Sequence, residues 1–384
     1  MSPHGRSEGA NPAARRAEGS PVTVPQALDG SYRTEQSYEW NYQNGPLLAN
    51  SMPEVPVTPV KHFFGLPVAS RLGISAGLLL NSRWIAAYAR LGFDILTYKT
   101  VRSQARECQE LPNWLFVDPA DEPHLEMSER PVHAHAQPAD AARQEWTCSV
   151  SFGMPSRAPK EWMADVARSR ALLGPQQVLI VSVVASPQPG SGSDEVVRDF
   201  ADLAAMAREA GAQIVEANLS CPNVRSAEGD IYNDAELSGR VACAMRESAG
   251  DLPLLLKVGH MPDEASLAAL LRAVAGQANG LTMVNGLSRW IVSATEAPAY
   301  GADRKKAGVL GSGVHALCVR QVASATRLIA AERLDLQIVG NGGVTDADSA
   351  RNYFDAGACA ALMGSAPMFD PALATRIKAR YPDL

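Results

Sequence analysis

The chain has no run of about 18 apolar residues, the length a bilayer-spanning helix needs, so no helical membrane span is expected. It has no excess of basic charge either. Its 35 Lys and Arg against 41 Asp and Glu leave a net charge of −6, the opposite of the usual nucleic-acid-binding surface. Six cysteines, at positions 108, 148, 221, 243, 318 and 359, never form a C-x-x-C pair. That scatter points to reduced thiols in a cytoplasmic protein and against a zinc or iron–sulfur site. Residues 1–30 contain almost no large apolar side chain. They cannot bury enough surface to offset chain entropy, so a disordered tail is expected, and they lack the apolar core of a secretory signal.

Beyond residue 30 the composition changes. Residues 31–56 carry Tyr32, Tyr38, Trp40 and Tyr42, aromatics enough to pack as an irregular arm. Val57 to Val68, centred on Phe63-Phe64-Gly65, reads as a small hairpin. After it, short apolar strands are expected at 73–76, 94–98, 178–185, 213–219, 253–258, 280–284, 336–340 and 358–363. Helical patterns alternate with them near 81–91, 159–173, 194–210, 235–249, 263–277, 313–331, 346–356 and 371–380. Eight strand–helix units predict a parallel sheet closed into a (β/α)8 TIM barrel over residues 57–384. A doubly wound open sheet would want a G-x-G-x-x-G turn after its first strand; the chain has none there.

Functional residues of such barrels gather at the C-terminal ends of the strands. The fourth strand runs into Glu216-Ala217-Asn218-Leu219-Ser220-Cys221-Pro222-Asn223. Side chains two apart share a strand face, so Glu216, Asn218 and Ser220 should converge. Taken alone, Cys221-Pro222 is a small thiol before a turn. Flanked by two carboxamides, it suits a site that holds a polar ring and exchanges a proton with it. Other strand ends carry Ser75-Ala76-Gly77, Thr97-Tyr98-Lys99-Thr100, Lys257 and Asn285-Gly286. The last two strands end in Gly340-Asn341-Gly342-Gly343 and Gly364-Ser365, with Gly311-Ser312-Gly313 before the sixth helix. Glycine-rich turns after strands 7 and 8 present backbone amides where barrels commonly bind phosphate. Together they favour a phosphate-bearing cofactor.

The string Asn218-Leu219-Ser220-Cys221-Pro222-Asn223 resembles the active-site motif of the dihydroorotate dehydrogenase family, in particular its soluble class 1 members, and the resemblance covers roughly residues 55–375. It implies FMN as the cofactor and Cys221 as the catalytic acid/base. It implies Asn218, Asn223, Asn285 and Lys99 at the substrate. It implies Ala76, Gly77, Lys99, Thr100, Asn218, Lys257, Gly311, Gly313, Gly342, Gly343, Gly364 and Ser365 around the flavin. A hairpin plugging the barrel floor, a homodimer, a small-molecule substrate and a cytoplasmic location follow from the same resemblance. A cation at the flavin's pyrimidine edge favours the reduced form, and a thiol of ordinary pKa near 8.5 can act as a base once its surroundings tune it.

The chain departs from the family pattern in three places. A Ser-Met-Gly-Leu-Pro-Asn stretch, whose Asn meets the substrate, here reads Ser151-Phe152-Gly153-Met154-Pro155-Ser156. Gly286 stands after Asn285 in place of Ser or Thr. Residues 101–147 form a long loop, containing His124, His133 and His135, that reads as a lid or interface rather than a metal site. Loss of hydrogen-bonding reach on the substrate side predicts a modified cyclic amide or pyrimidine relative rather than free dihydroorotate, with Arg289 close enough to meet a carboxylate or phosphate. The alternative is an ordinary dihydroorotate dehydrogenase. A tRNA-dihydrouridine synthase, also a flavin barrel with a Cys-Pro, would carry a basic surface and an RNA-binding domain. A non-catalytic flavin-binding barrel would have no need of Cys221 and both lysines.

Overall fold

The computed structural model describes residues 30–48, 53–140, 145–187, 190–220 and 227–384, the side chains of 227–229 excepted. The tail read from sequence falls outside these residues, save Gly30. The arm is not wholly irregular: it contains helix α1 (Tyr38–Asn44), capped by Ser37, whose side chain accepts from Trp40 N. The expected hairpin is present as β1 (Lys61–Phe63) and β2 (Leu66–Val68). The chain then runs through β3 (Leu72–Ile74), α2 (Ser82–Arg90) and β4 (Ile95–Val101). A first insertion supplies β5 (Trp114–Val117), β6 (Val132–His135) and β7 (Thr147–Val150). Next come α3 (Pro159–Leu172), β8 (Val178–Val183), α4 (Ser193–Glu209), β9 (Ile214–Asn218) and α5 (Ala235–Ala249). They are followed by β10 (Leu254–Lys257), α6 (Glu264–Val274) and β11 (Gly280–Met283). A second insertion gives β12 (Leu287–Val292) and β13 (Lys306–Gly311). The chain closes with α7 (His315–Glu332), β14 (Gln337–Asn341), α8 (Ala347–Asp355), β15 (Ala360–Met363), α9 (Ala366–Phe369) and α10 (Leu373–Arg380).

Strands β3, β4, β8, β9, β10, β11, β14 and β15 hydrogen-bond in that order, and β15 returns to β3, closing an eight-stranded parallel barrel. Helices cover such a barrel outside and side chains fill it inside, so its strands are apolar without alternation. Every residue of β4, β8 and β9 is accordingly buried. The helices start where the sequence supplies caps: Asn81, Asp234, Asp263 and Asp346 each accept a backbone N–H of the first turn. Phe63 and Val68 of the hairpin pack with Ile95, Ile180, Ile214 and Leu255, closing the barrel floor. The last helix is tied to the barrel by a buried ion pair, Lys378 Nζ to Asp94 Oδ2 at 2.7 Å.

The two insertions make something the sequence reading did not contain. Residues 101–147, read as one long loop, hold strands, and β12, β13, β7, β5 and β6 close into a second, five-stranded barrel. Most of its ladders are antiparallel; β12 and β6 run parallel. It springs from the C-terminal ends of β4 and β11, and therefore caps the face where the strand ends open.

Candidate active site

A cavity opens at that face between barrel, small barrel and arm. Ala76, Gly77, Lys99, Thr100, Asn218, Lys257, Asn285, Gly311, Gly342, Gly343, Gly364 and Ser365 all line it. Register explains part of this convergence. Asn218 and Lys257 end paired strands as direct neighbours, and Lys257 lies opposite Thr282 on β11.

The two carboxamides orient one another. Asn285 Nδ2 donates to Asn218 Oδ1 at 3.3 Å, to Ser220 Oγ at 3.2 Å and to the Ser220 carbonyl. Asn285 Oδ1 accepts from Gly286 N at 3.0 Å. Asn218 Oδ1 also accepts from Ser220 N, so its Nδ2 is left on the other side, where it makes only long contacts to Thr100 Oγ1 (3.4 Å) and Met154 Sδ (3.7 Å). A carbonyl oxygen entering the cavity would displace those weak contacts. The expected convergence of Glu216 with Asn218 and Ser220 is partial. Glu216, fully buried, accepts from Thr282 Oγ1 at 2.9 Å one layer deeper and is not among the residues lining the cavity.

At the other end lie the glycine turns. Gly342 and Gly343 have φ of +119° and +67°, the left-handed region that glycine adopts without strain. A Cβ on Gly343 would come 2.8 Å from Gly311 O. The turn is gripped from outside: Tyr353 Oη donates to Gly342 O at 2.6 Å, and His315 Nδ1 lies 3.3 Å from the same oxygen. Burial holds the His315 imidazole below its ordinary pKa, so it is a neutral donor here. At the neighbouring strand ends, after β15 and β3, a Cβ on Gly364 would meet only Ser75 Oγ and one on Gly77 nothing within 4 Å, so both would project into the open cavity. Backbone amides at one end and Cβ-free backbone along the wall fit a flat ring carrying a phosphate.

The remaining wall is apolar, and sequence reasoning missed it. Tyr32 and Tyr38 of the arm line the cavity, as do Trp114, Val150, Phe152, Met154 and Leu310. Lys99 Nζ sits 5.1 Å from the centre of the Tyr38 ring, a cation–π contact. Val150, Phe152 and Met154 follow one another at a spacing of two as the chain leaves β7, a signal visible in the sequence.

Three residues expected at the site lie elsewhere. Ser156 is not among the lining residues; its hydroxyl accepts from Arg102 N at 3.0 Å and donates to Arg157 O at 2.9 Å. Alternation would have carried it inward, but φ is +72° at Gly153 and +51° at Met154, and that turn sends the chain away. Gly313 does not line the cavity, because its amide donates to Thr147 Oγ1 at 2.8 Å. Arg289, read as an anion receptor, instead donates to the carbonyls of Leu125 and Ser288. Cys221 and Asn223 lie outside the described residues. His133 bridges Asp121 Oδ2 (2.8 Å) and Glu296 Oε1 (2.9 Å), and His135 pairs with Asp118 at 3.5 Å. No group of three or more potential metal ligands occurs among the described residues. No helix among them is long and apolar enough to cross a membrane.

The family model for dihydroorotate dehydrogenase matches residues 149–383, more than half the chain. A dihydroorotate dehydrogenase of Dictyostelium discoideum is 29% identical over 358 residues, covering 90% of this chain and 95% of the relative. Two bacterial matches are shorter. The catalytic subunit of a dihydroorotate dehydrogenase B (NAD(+)) from Solidesulfovibrio magneticus is 29% identical over 48% of this chain and 59% of its own length. A dihydroorotate dehydrogenase A (fumarate) from Limosilactobacillus reuteri is 29% identical over 54% of this chain and 63% of its own. With an eight-stranded parallel barrel and a cavity at its strand ends already in view, the chain belongs to the dihydroorotate dehydrogenase family.

Proposed function

We propose that the protein is an FMN-dependent oxidoreductase acting on a C–C bond next to the carbonyl of a small cyclic amide or pyrimidine-like ring. One observation carries this reading: both lysines, both amides and the glycine turns open into the same cavity. FMN, when bound, supplies a two-electron carrier that takes up or returns a hydride at N5. Gly342, Gly343, Gly364 and Ser365 would hold its phosphate through backbone amides, with Gly311 beside them. Ala76, Gly77 and Thr100 leave space for the ring, and Lys257 and Lys99 supply positive charge. Asn218 and Asn285 orient the substrate, with Asn223 as a third amide. Oxidation of a saturated ring removes one hydride and one proton; the Cys221 thiolate takes the proton, and reduction returns both.

The reading includes a homodimer in the cytoplasm, with a small molecule and no nucleic acid as the partner. A second reading, an ordinary dihydroorotate dehydrogenase of pyrimidine biosynthesis, draws on the Dictyostelium match across 90% of the chain. Purified protein should be yellow and should release one equivalent of FMN per chain on heat denaturation. A correctly folded, colourless preparation that takes up no FMN on incubation would refute the proposal.

A further inference from the structure

The arm brings one polar atom to the cavity that the proposed chemistry does not use. Tyr38 of α1 lines the cavity and is 8% exposed. The Lys99 ammonium lies over its ring, 5.1 Å from the centre. Tyr42, one helical turn on, packs beside it with ring centroids 6.1 Å apart, and the Arg157 guanidinium lies 4.3 Å from the Tyr42 ring centre. This placement is built into the arm. Ser37 caps α1, and the buried Asn41 braces its start: Nδ2 donates to Arg33 O at 2.9 Å and Ser37 O at 3.0 Å, while Oδ1 accepts from Arg33 N at 2.8 Å. Asn81 Nδ2 donates to Tyr42 O at 2.8 Å, docking the last turn of α1 on the barrel. A side chain held in this way has little freedom left to lose when a ligand binds.

The two arm tyrosines differ at the hydroxyl. That of Tyr32 is sealed from solvent; among the described residues, the sealed polar atoms do not include the hydroxyl of Tyr38, which makes no hydrogen bond to any of them. Burial, with Tyr42 and Tyr32 close by, holds the Tyr38 pKa well above its ordinary value, so the hydroxyl stays a neutral donor. Beside it stands an ammonium, which has donors and no acceptor. The ligand group that uses both is an oxygen acceptor carrying negative charge, because hydrogen bonds to an ionised partner are roughly twice as strong as neutral ones. A carboxylate has two such oxygens. With the ammonium over the ring that bears the hydroxyl, one oxygen can meet each donor.

We propose that Tyr38 is a specificity-determining residue of this site: its hydroxyl, together with the Lys99 ammonium, receives a carboxylate carried by the ring substrate, so that the arm forms part of the substrate pocket. The proposal rests on the oxidoreductase reading, and its test separates the two. FMN-loaded protein is titrated with orotate and with uracil, the same ring with and without a carboxylate, and binding is followed through the flavin absorbance difference spectrum. Tyr38→Phe keeps the ring over which Lys99 sits and its packing on Tyr42, and removes the hydroxyl alone. The parent should bind orotate more tightly than uracil. Tyr38→Phe should weaken orotate by about tenfold or more, the worth of a hydrogen bond to a charged group. Uracil affinity, flavin content and melting temperature should stay as in the parent. Equal weakening of both ligands, or none of orotate, overturns this proposal alone, and so does flavin-loaded parent protein that binds orotate no more tightly than uracil. Protein that never takes up flavin sinks the oxidoreductase reading and this proposal together.

Discussion

Replacing Tyr353 by Phe tests the phosphate assignment without touching the cavity. The ring stays, and with it the packing against Gly340, where an added Cβ would lie 2.3 Å from Tyr353 Cδ1. What goes is the hydroxyl that donates to Gly342 O at 2.6 Å. The carbonyl is not left orphaned, because His315 Nδ1 remains 3.3 Å away. The loss is therefore that of an ordinary hydrogen bond, about 0.5–1.5 kcal/mol, and not the about 1–3 kcal/mol of a stranded buried group. If the bond preorganises the Gly342–Gly343 amides for a phosphate, its loss weakens FMN by about 2- to 12-fold at 1.4 kcal/mol per decade. Riboflavin shares the ring and lacks the phosphate, so its affinity should not change. Fluorescence-quenching titrations of flavin-free protein with both ligands measure the two constants directly. Equal weakening of both flavins, or none of FMN, would refute the phosphate assignment. The further change His315→Ala in the same chain strands the carbonyl and should cost more than the two single changes added together.

The structure sets three more expected outcomes. Lys378→Met leaves Asp94 buried without its cation and should destabilise the fold by about 3–5 kcal/mol. Burial already raises the Asp94 pKa against the pull of Lys378; a raised folded pKa means stability falls as pH rises through it, so the melting-temperature deficit should be larger at pH 8 than at pH 5. The hydrogen bonds that His133 donates to the Glu296 and Asp121 carboxylates raise its pKa. The stabilisation it gives the small barrel is present in full below the unfolded value and lost as pH rises through the folded one, which NMR titration and hydrogen exchange of 119–135 should show and His133→Gln should abolish. Cys221→Ala should keep its flavin and its ligand yet lose roughly 10²–10⁴-fold in the flavin half-reaction, the usual worth of a positioned acid or base; parent rates in stopped flow would exclude Cys221 as the proton carrier.

The large barrel was legible because its signals are local. Each strand is a short apolar run, and five of the helices after them begin at a cap or a proline, at Asn81, Pro159, Asp234, Asp263 and Asp346. Observed boundaries fall within about three residues of the expected ones, as in β10 at Leu254–Lys257 and α5 at Ala235–Ala249. The small barrel was hidden because its pairing is not local. Residues Ile291 and Val292 find their partners at Val132 and His133, far back in the chain, and strands of four residues such as β5 and β6 have too little pattern to betray them. At the site, motif reading picked residues at seven of the eight strand ends and failed where backbone conformation overrides spacing. Positive φ at Gly153 and Met154 replaces Ser156 by Val150, Phe152 and Met154 as the side chains that face the cavity.

The closure of that small barrel also sets how hard it is to part at the site's rim. Its five strands leave no free ladder edge, and swinging one strand aside would break two sets of main-chain hydrogen bonds at once. The arm is held by single ties, among them Ser31 N to Met368 O, Ser31 Oγ to Tyr88 Oη, Asn81 Nδ2 to Tyr42 O and the exposed pair Arg157–Glu39, and by the burial of Tyr32 and Tyr38 in the core. Opening energies follow such differences in cooperative bonding. Parting the arm would therefore break single side-chain and backbone ties, whereas parting the small barrel would break whole ladders.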